Sequence, residues 1–313
     1  MKKLISIALI VVAIFAAIIF TVWMTGRNVY DIDQPITGSP TDCGPRTGGD
    51  GLRAAVIGDY GEAGQPEADV AALIDRWGVD SIVTAGDNNY LNGGADTSDA
   101  NIGQYYHAYI APYVGSYGAG ASVSENRFFP ALGNHDWYTP GAQPYLDYFT
   151  LPGNERTYTV RHGPIEFFIL DTDRSEPDGY SVDSVQAQWL RAQLAASDAP
   201  WKIVVLHYPP YSSSARHGSD RLVQWPFAAW GVDAVIAGHD HLYERLQENG
   251  LPYFVNGAGG KDLYPFKPWP APGSVVRYNQ DYGAQLINAT AQCLNLSFFS
   301  NADVLIDSVT LRQ

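Results

Sequence analysis

Five short apolar segments of this chain each end in residues that bind metal ions in proteins. In α/β sheets, ligands bind beyond the carboxyl ends of the strands, so such residues meet in space although they are far apart in sequence. We therefore predict one site at the edge of an α/β fold. The five segments and the residues that follow them are Ala54–Ile57 with Gly58-Asp59, Ser81–Ala85 with Gly86-Asp87, Phe128–Leu132 with Gly133-Asn134-His135-Asp136, Ile203–Leu206 with His207, and Ala234–Ala237 with Gly238-His239-Asp240-His241.

The rest of the pattern alternates helices and strands. Pro66–Trp77 has a proline near its start and apolar residues at helical spacing, and Val182–Ala196 is a second predicted helix. Thr157–His162 and Ile165–Leu170 are predicted to form a hairpin. The C-terminal third is predicted to contain mainly strands, over Ala284–Ala289, Gln292–Phe299 and Val304–Thr310. Residues 52–313 are thus expected to form one large α/β domain.

The N-terminus carries an apolar run of a different kind. Lys2 and Lys3 precede Leu4–Met24, whose 21 residues include no charge, and about 20 apolar residues span a bilayer. Bulky residues follow Phe20 where a signal peptide has its small-residue cleavage site. We predict a membrane anchor at residues 1–27, a tether rich in Gly, Pro and Thr at residues 28–51, and an extracytoplasmic domain. The alternative is a cleaved signal, which would make the protein secreted.

The charge of the chain limits its partners. The formal net charge is −14, and so acidic a protein has no basic surface suited to nucleic acid. The only lysines of the domain are Lys202, Lys261 and Lys267, so metal ions are a natural source of positive charge for an anionic substrate. No protein partner is inferred from the sequence.

Cys43 and Cys293 are the only two cysteines. Outside the cytoplasm they could form a disulfide between the tether and a late strand. Two free thiols are the alternative, and the sequence alone leaves both open.

The chemistry of the five segment ends points to metal ions. Carboxylate, amide oxygen and imidazole are ligands of hard and borderline metals. Gly-Asp alone is a common turn, Gly-Asn-His-Asp could cap a helix, and His207 alone could be a core histidine. Gly-His-x-His is moderately specific for metal, and all five motifs in order indicate a metal centre. Two cations about 3.5–4 Å apart can clamp phosphoryl oxygens and lower the pKa of a bound water. The chain has no phosphate-binding Gly-rich loop, no His-Glu-x-x-His and no Gly-x-Ser-x-Gly motif. The sequence therefore lacks the residues of nucleotide-driven phosphotransfer enzymes, zinc proteases and serine hydrolases.

With these motifs, the chain resembles the calcineurin-like metallophosphoesterase superfamily, and within it the small single-domain purple acid phosphatases of the tartrate-resistant type. The general superfamily has Asp-x-His at the first motif, where Gly61 stands here. The purple branch has instead a tyrosine three residues after the second aspartate, and Tyr90 follows Asp87 at that spacing. The resemblance runs from about Arg53 to the end.

This resemblance implies a fold and a ligand set. The fold would be a four-layer α/β/β/α sandwich of two mixed sheets, here preceded by the transmembrane helix. Asp87 would bridge two metal ions, and His135 and His217 would face the substrate, the former as general acid and the latter on the phosphoryl oxygens. The remaining ligands implied are Asp59, Tyr90 and His241 for the first metal and Asn134, His207 and His239 for the second.

The resemblance also implies iron(III) in the Tyr90 site and iron(II), zinc(II) or manganese(II) in the other. The expected function is a binuclear acid phosphatase that hydrolyses phosphomonoesters by in-line attack of hydroxide. Its substrates would be phosphate-ester small molecules or phosphorylated macromolecules. A phosphodiesterase on the same metals is the alternative enzyme, and a non-catalytic surface binding module is the alternative from another class.

Overall fold

The computed structural model describes residue 43 and residues 51–122 and 125–313. The predicted anchor at residues 1–27 and nearly all of the tether therefore lie outside the described residues. Among the helices of the described residues, none is long and apolar enough to cross a bilayer.

Two mixed β-sheets make up the centre of the fold. The six-stranded sheet has the order β13-β12-β11-β1-β2-β3, in which β1, β2 and β3 are parallel and β11 to β13 are antiparallel. Its strands are β1 Leu52–Ile57, β2 Ser81–Thr84, β3 Phe128–Pro130, β11 Gly283–Thr290, β12 Cys293–Ser300 and β13 Leu305–Arg312.

The second sheet has seven strands in the order β10-β8-β9-β7-β6-β5-β4. Its centre, β5, β6, β7 and β9, is parallel, and its edges are antiparallel. Its strands are β4 Tyr158–His162, β5 Ile165–Ile169, β6 Trp201–Val205, β7 Ala234–Ala237, β8 Tyr243–Glu248, β9 Leu251–Asn256 and β10 Ser274–Tyr278.

Helices flank the two sheets. The two longest are α1, Gln65–Trp77, and α6, Val185–Ala196. Short helices connect the strands near the predicted metal site. They are α2 Ala95–Ser98, α3 Gln104–Tyr106, α4 Asn134–Trp137 and α5 Gln143–Tyr148. One π-helix, Asp99–Gly103, and 3₁₀ turns at His107–Tyr109, Pro140–Ala142, Arg221–Val223 and Ala228–Trp230 complete the helical segments among the described residues.

The seven-stranded sheet is buried on both faces. Along β6, Ile203 and Val205 belong to the core shared with the other sheet, whereas Val204 belongs to the core under α6, with Leu190. This alternation is what a strand covered on both faces requires. The arrangement is two mixed sheets with helices, consistent with the expected α/β sandwich.

Most predicted elements are confirmed within a few residues, and β8 is the clearest omission. Its sequence contains Glu244 and Arg245, which are nevertheless buried. Glu244 accepts hydrogen bonds from Ser213, and Arg245 makes a bidentate ion pair with Asp307 of β13 at 2.6 and 2.9 Å. Because the partners of these charged residues lie elsewhere in the sequence, β8 is buried although its composition is that of an exposed strand.

Cys43 and Cys293 form a disulfide. The bond joins residue 43 to the first residue of β12 across 250 positions of sequence. Of the two alternatives that the sequence leaves open, the structure has the disulfide, which fastens the segment before the domain to the six-stranded sheet.

Candidate metal centre

The seven predicted metal ligands lie together where the two sheets meet at the carboxyl ends of their parallel strands. Six of the seven ligands are buried, and His239 is partly exposed. The six-stranded sheet contributes the ligands after β1, β2 and β3, and the seven-stranded sheet those after β6 and β7. In chain order they are Asp59, Asp87, Tyr90, Asn134, His207, His239 and His241.

The backbone at these strand ends is under strain. Asp59, Asp87 and His239 have positive φ angles of 56°, 55° and 69°, a region that non-glycine residues seldom adopt and that recurs at functional sites. Close approach also explains two glycines. A Cβ on Gly133 would lie 2.2 Å from Oδ1 of Asp87, and one on Gly86 would lie 2.5 Å from Nδ1 of His207.

One group of donor atoms surrounds the Tyr90 hydroxyl. Its oxygen lies 3.2 Å from Oδ1 of Asp59, 3.0 Å from Oδ2 of Asp87 and 3.1 Å from Nε2 of His241. Nε2 of His241 is in turn 3.4 Å from Oδ1 of Asp59. The residues predicted for the first metal, together with Asp87, thus point their donor atoms at one another.

A second group surrounds Nε2 of His207. This nitrogen lies 3.1 Å from Oδ1 of Asn134, 3.3 Å from Nδ1 of His239 and 3.4 Å from Oδ1 of Asp87. Asp87 therefore has one carboxylate oxygen in each group. Such a carboxylate, shared between two adjacent sets of donors, is what a pair of metal ions requires of a bridging ligand.

The donor atoms fit cations better than they fit one another. Nδ1 of His207 donates to the carbonyl of Ala85 and Nδ1 of His241 to that of Asp262, each at 2.8 Å. In the neutral imidazoles, Nε2 then carries a lone pair that faces the oxygens of Asp87, Asn134 or Asp59. Fixing the outer nitrogen of a histidine in this way is usual at metal sites.

The spacing of the donors is also that of a coordination shell. Metal bonds of about 2.1 Å place neighbouring ligands about 3.0–3.4 Å apart in octahedral or tetrahedral geometry. The donor-to-donor distances in both groups, 3.0–3.4 Å, fall in this range. The donor atoms of Asp59, Asp87 and His207 all lie within 4.8 Å of one another.

Burial and charge determine the protonation of this cluster in the protein alone. Burial, with the carboxylates of Asp87 and Asp59, raises the pKa of Tyr90 well above its ordinary value. Burial opposes the charged form of His207, but Asp87 outweighs it and raises the pKa of His207 to about 10. Without a cation the site therefore holds a neutral phenol. Ionising Tyr90 requires a metal ion bound to its oxygen.

The two histidines that were predicted to face substrate border the cluster. The His135 ring lies 4.3 Å from the Tyr90 ring, and its Nε2 is 3.9 Å from Oδ2 of Asp87. His217 is exposed and lies 4.2 Å from the ring of His239. Both side chains are thus available to a molecule bound at the cluster.

Two other histidines match no motif and lie apart from the site. His107 contacts the carbonyl of Gly103 through Nδ1 at 2.8 Å, and the ring of His162 packs edge-on against Phe129. Neither contacts a predicted ligand, so both have structural or surface positions.

The sequence does not indicate which side chains support the site. Asp240 stands between two predicted ligands but turns away from them, and its Oδ2 accepts bonds from Oγ of Ser212 at 2.6 Å and the backbone N–H of Gly218 at 3.1 Å. It thereby holds the loop that carries His217. No local pattern distinguishes this aspartate from a metal ligand.

Tyr264 and Asp136 are two further supports. The Tyr264 ring stacks on His241 at 3.9 Å and 15°. Asp136 accepts from the backbone N–H of Gly133 at 2.8 Å and from Nδ2 of Asn88 at 2.9 Å, and burial, together with Asp87, raises its pKa to about 7. The buried position of Asp136 could have been suspected from the motif Gly-Asn-His-Asp, whereas nothing in the sequence relates Tyr264 to His241.

Comparison with known proteins agrees with this geometry. The family model "Calcineurin-like phosphoesterase" matches residues 52–243, more than half of the chain. Tartrate-resistant acid phosphatase type 5 of Mus musculus is 28% identical over 256 residues, covering 66% of this chain and 72% of its own. Purple acid phosphatase 17 of Arabidopsis thaliana is 27% identical over 240 residues, covering 66% and 68%.

A solved structure shares the fold. Purple acid phosphatase PPD1 from seeds of yellow lupin, Lupinus luteus, superposes with a TM-score of 0.68 at 20% identity, over 89% of this chain and 55% of the lupin chain. This likeness shows the fold, and the family match and the acid phosphatase relatives identify the class of the protein. The chain belongs to the calcineurin-like phosphoesterase family and is a phosphoric-ester hydrolase.

Proposed function

We propose that this protein is an acid phosphatase that hydrolyses phosphomonoesters with two metal ions. The observation that carries the proposal is the Asp87 carboxylate, whose two oxygens lie in two adjacent groups of donors. Asp59, Tyr90 and His241 would hold the first ion, and Asp87 would bridge to the second. The ligands of the second ion would be Asn134, His207 and His239.

A pair of cations supplies Lewis acidity toward phosphoryl oxygens and lowers the pKa of water. The chain's own residues supply position and protons. His135 is held by its backbone N–H, which donates to Oδ1 of Asp87 at 2.9 Å, and by Nδ1, which donates to the carbonyl of Leu91 at 2.6 Å. When the ring is doubly protonated, Nε2 can give its proton to the departing alkoxide.

His217 approaches the cluster through His239, whereas His135 approaches it through Tyr90. In its exposed position, His217 can donate a hydrogen bond to phosphoryl oxygens as they gain negative charge. Asp240 holds this loop in place through the bonds from Ser212 and Gly218.

Tyr90 supports iron(III) as the ion of the first site. An iron(III) phenolate absorbs visible light by charge transfer, whereas zinc has no partly filled d shell and gives no colour. The purified protein should be violet to pink, with iron, zinc or manganese in the second site. The variant Tyr90→Phe should lose the visible band and keep part of the hydrolysis. A colourless, iron-free and active wild-type protein would remove the iron proposal and leave the phosphatase proposal intact.

The reaction class is tested with two chromogenic esters. Turnover of para-nitrophenyl phosphate with little turnover of bis-para-nitrophenyl phosphate is the expected result. Preference for the diester would indicate a phosphodiesterase on the same residues. If the metal-loaded protein hydrolyses neither ester, a non-catalytic binding module would be favoured.

We further propose that residues 4–24 anchor the protein in a bilayer with the hydrolase domain outside the cytoplasm. The disulfide between Cys43 and Cys293 supports an oxidising compartment. The protein should fractionate with membranes and be released only by detergent. A mature form that begins near Asn28 and accumulates in the medium would show a cleaved signal instead.

A further inference from the structure

Positive charge collects beside His217 although the protein is acidic overall. The formal net charge is −14, yet Arg216, Lys267 and Arg277 lie on neighbouring segments at this edge of the site. We call these three residues the basic rim. Arg216 and Lys267 are exposed, and Arg277 is partly exposed.

Hydrogen bonds between two loops fix the position of the rim. The backbone N–H of Lys267 donates to the carbonyl of Ser213 at 2.8 Å, and that of Ala215 donates to the carbonyl of Pro265 at 2.9 Å. Arg277 lies 5.2 Å from the centre of the Phe266 ring. The loop of His217 and the loop of Lys267 are therefore one connected surface.

The rim is adjacent to the predicted metal ligands. The guanidinium carbon of Arg216 lies 5.0 Å from the centre of the Tyr264 ring, which itself stacks on His241 at 3.9 Å. One aromatic ring thus separates this cation from a ligand. On the other side of His217, a Cβ built on Gly218 would lie 2.6 Å from Nζ of Lys267.

The three rim cations form no ion pair within 4.0 Å among the described residues, although the charge of Arg277 also acts on the buried carboxyl of Glu244. Among the described residues, the ion pairs within 4.0 Å involve other cations, such as Lys261 with Glu62 at 2.7 Å and Arg156 with Glu176 at 2.9 Å. Cations without such partners beside a site for a phosphate attract a further anion.

We propose that the basic rim binds a second anionic group, phosphate or carboxylate, of the phosphomonoester being hydrolysed. The preferred substrates are then phosphate esters with an additional anionic group away from the reacting phosphate. This inference rests on the proposed phosphatase function and names its substrate class.

The test compares matched substrates. Phenyl phosphate is compared with 4-carboxyphenyl phosphate, and fructose 6-phosphate with fructose 1,6-bisphosphate, in wild-type protein and in Arg216→Gln. We expect kcat/KM to be higher for the ester with the additional anion. In the variant, kcat/KM for that ester should fall about threefold to fivefold through a higher KM, as expected for exposed charges. Values for phenyl phosphate and fructose 6-phosphate should stay within about twofold.

Arg191→Gln is the matched control, because Arg191 is an exposed arginine on α6, which carries no predicted site residue. It removes the same charge and should leave all four substrates unchanged. The combined variant Arg216→Gln/Lys267→Gln/Arg277→Gln should abolish the preference and its dependence on salt. A loss confined to one pair of substrates would identify phosphate or carboxylate as the group that is bound.

An unchanged preference in the combined variant would overturn the inference, as would equal losses on all four substrates. Wild-type protein that is loaded with metal and inactive on phenyl phosphate would instead refute the phosphatase function itself.

Discussion

His135 is the residue whose replacement tests the proposed chemistry in most detail. Its imidazole is held on three sides, by the carbonyl of Leu91 at 2.6 Å and by the rings of Tyr90 at 4.3 Å and Tyr138 at 4.8 Å. His135 is not among the donors of either metal group. The substitution His135→Asn should therefore remove a proton donor and leave metal content unchanged.

The expected loss follows from this fixed position. A well-placed general acid contributes about 10²–10⁴ in rate, or about 2.7–5.4 kcal/mol of activation free energy. The need for a proton grows with the basicity of the leaving group. Phenol has a pKa near 10, and an alkanol is close to water at about 15.7. We expect a loss near 10² for phenyl phosphate and near 10⁴ for glycerol phosphate.

The assay measures kcat for both esters at equal metal occupancy, with metal content determined on the same samples. His107→Asn is the matched control, because the Nδ1 of His107 also contacts a backbone carbonyl, that of Gly103 at 2.8 Å, but outside the site. It should keep the wild-type activity. Equal losses for the aryl and alkyl esters would refute the role of His135 as the acid.

Two further predictions concern the stability of the fold. The Asp307 carboxylate accepts two hydrogen bonds from the buried Arg245, and this pair joins β13 to β8 across the two sheets. Asp307→Ala should therefore lower the free energy of unfolding, measured by urea titration, by about 3–5 kcal/mol. A loss below about 1 kcal/mol would show that the ion pair is not desolvated. Glu67 is fully buried, its two carboxylate oxygens have no hydrogen-bond partner among the described residues, and burial raises its pKa well above the ordinary value. The folded state therefore keeps a proton that the unfolded state releases, and this group makes stability fall by up to about 1.4 kcal/mol per pH unit as pH rises above the unfolded pKa of about 4.3. Glu67→Gln should reduce that slope, and an unchanged slope would place the Glu67 carboxyl in contact with water.

The site could be predicted from sequence because its ligands occupy a repeated local setting. A short apolar strand, a glycine and a ligand residue recur at Asp59, Asp87 and His239, and the carboxyl ends of parallel strands meet. A Cβ on Gly86, the residue before Asp87, would lie 2.5 Å from Nδ1 of His207, and this close contact shows why glycine recurs there. What the sequence conveys is therefore the positions at which the chain leaves the sheets.

The supporting residues could not be predicted, because their partners are remote in sequence. Asp240 bonds to Ser212, and Tyr264 stacks on His241 from a separate loop. The strand β8 was missed for the same reason. Arginine is usually exposed, and Arg245 is buried only because it pairs with Asp307, which is remote in sequence. Local sequence patterns indicate which residues follow the end of a strand, but not the direction in which each side chain points.

The metal content of purified protein tests the central claim most directly. Wild-type protein and Asp87→Ala should be compared by elemental analysis after the same removal of loosely bound metal. We expect two ions per chain in wild type, one of them iron, and loss of both in the variant, because Asp87 has an oxygen in each donor group. One ion per chain in wild type, or an Asp87→Ala variant that keeps both ions, would contradict the central claim.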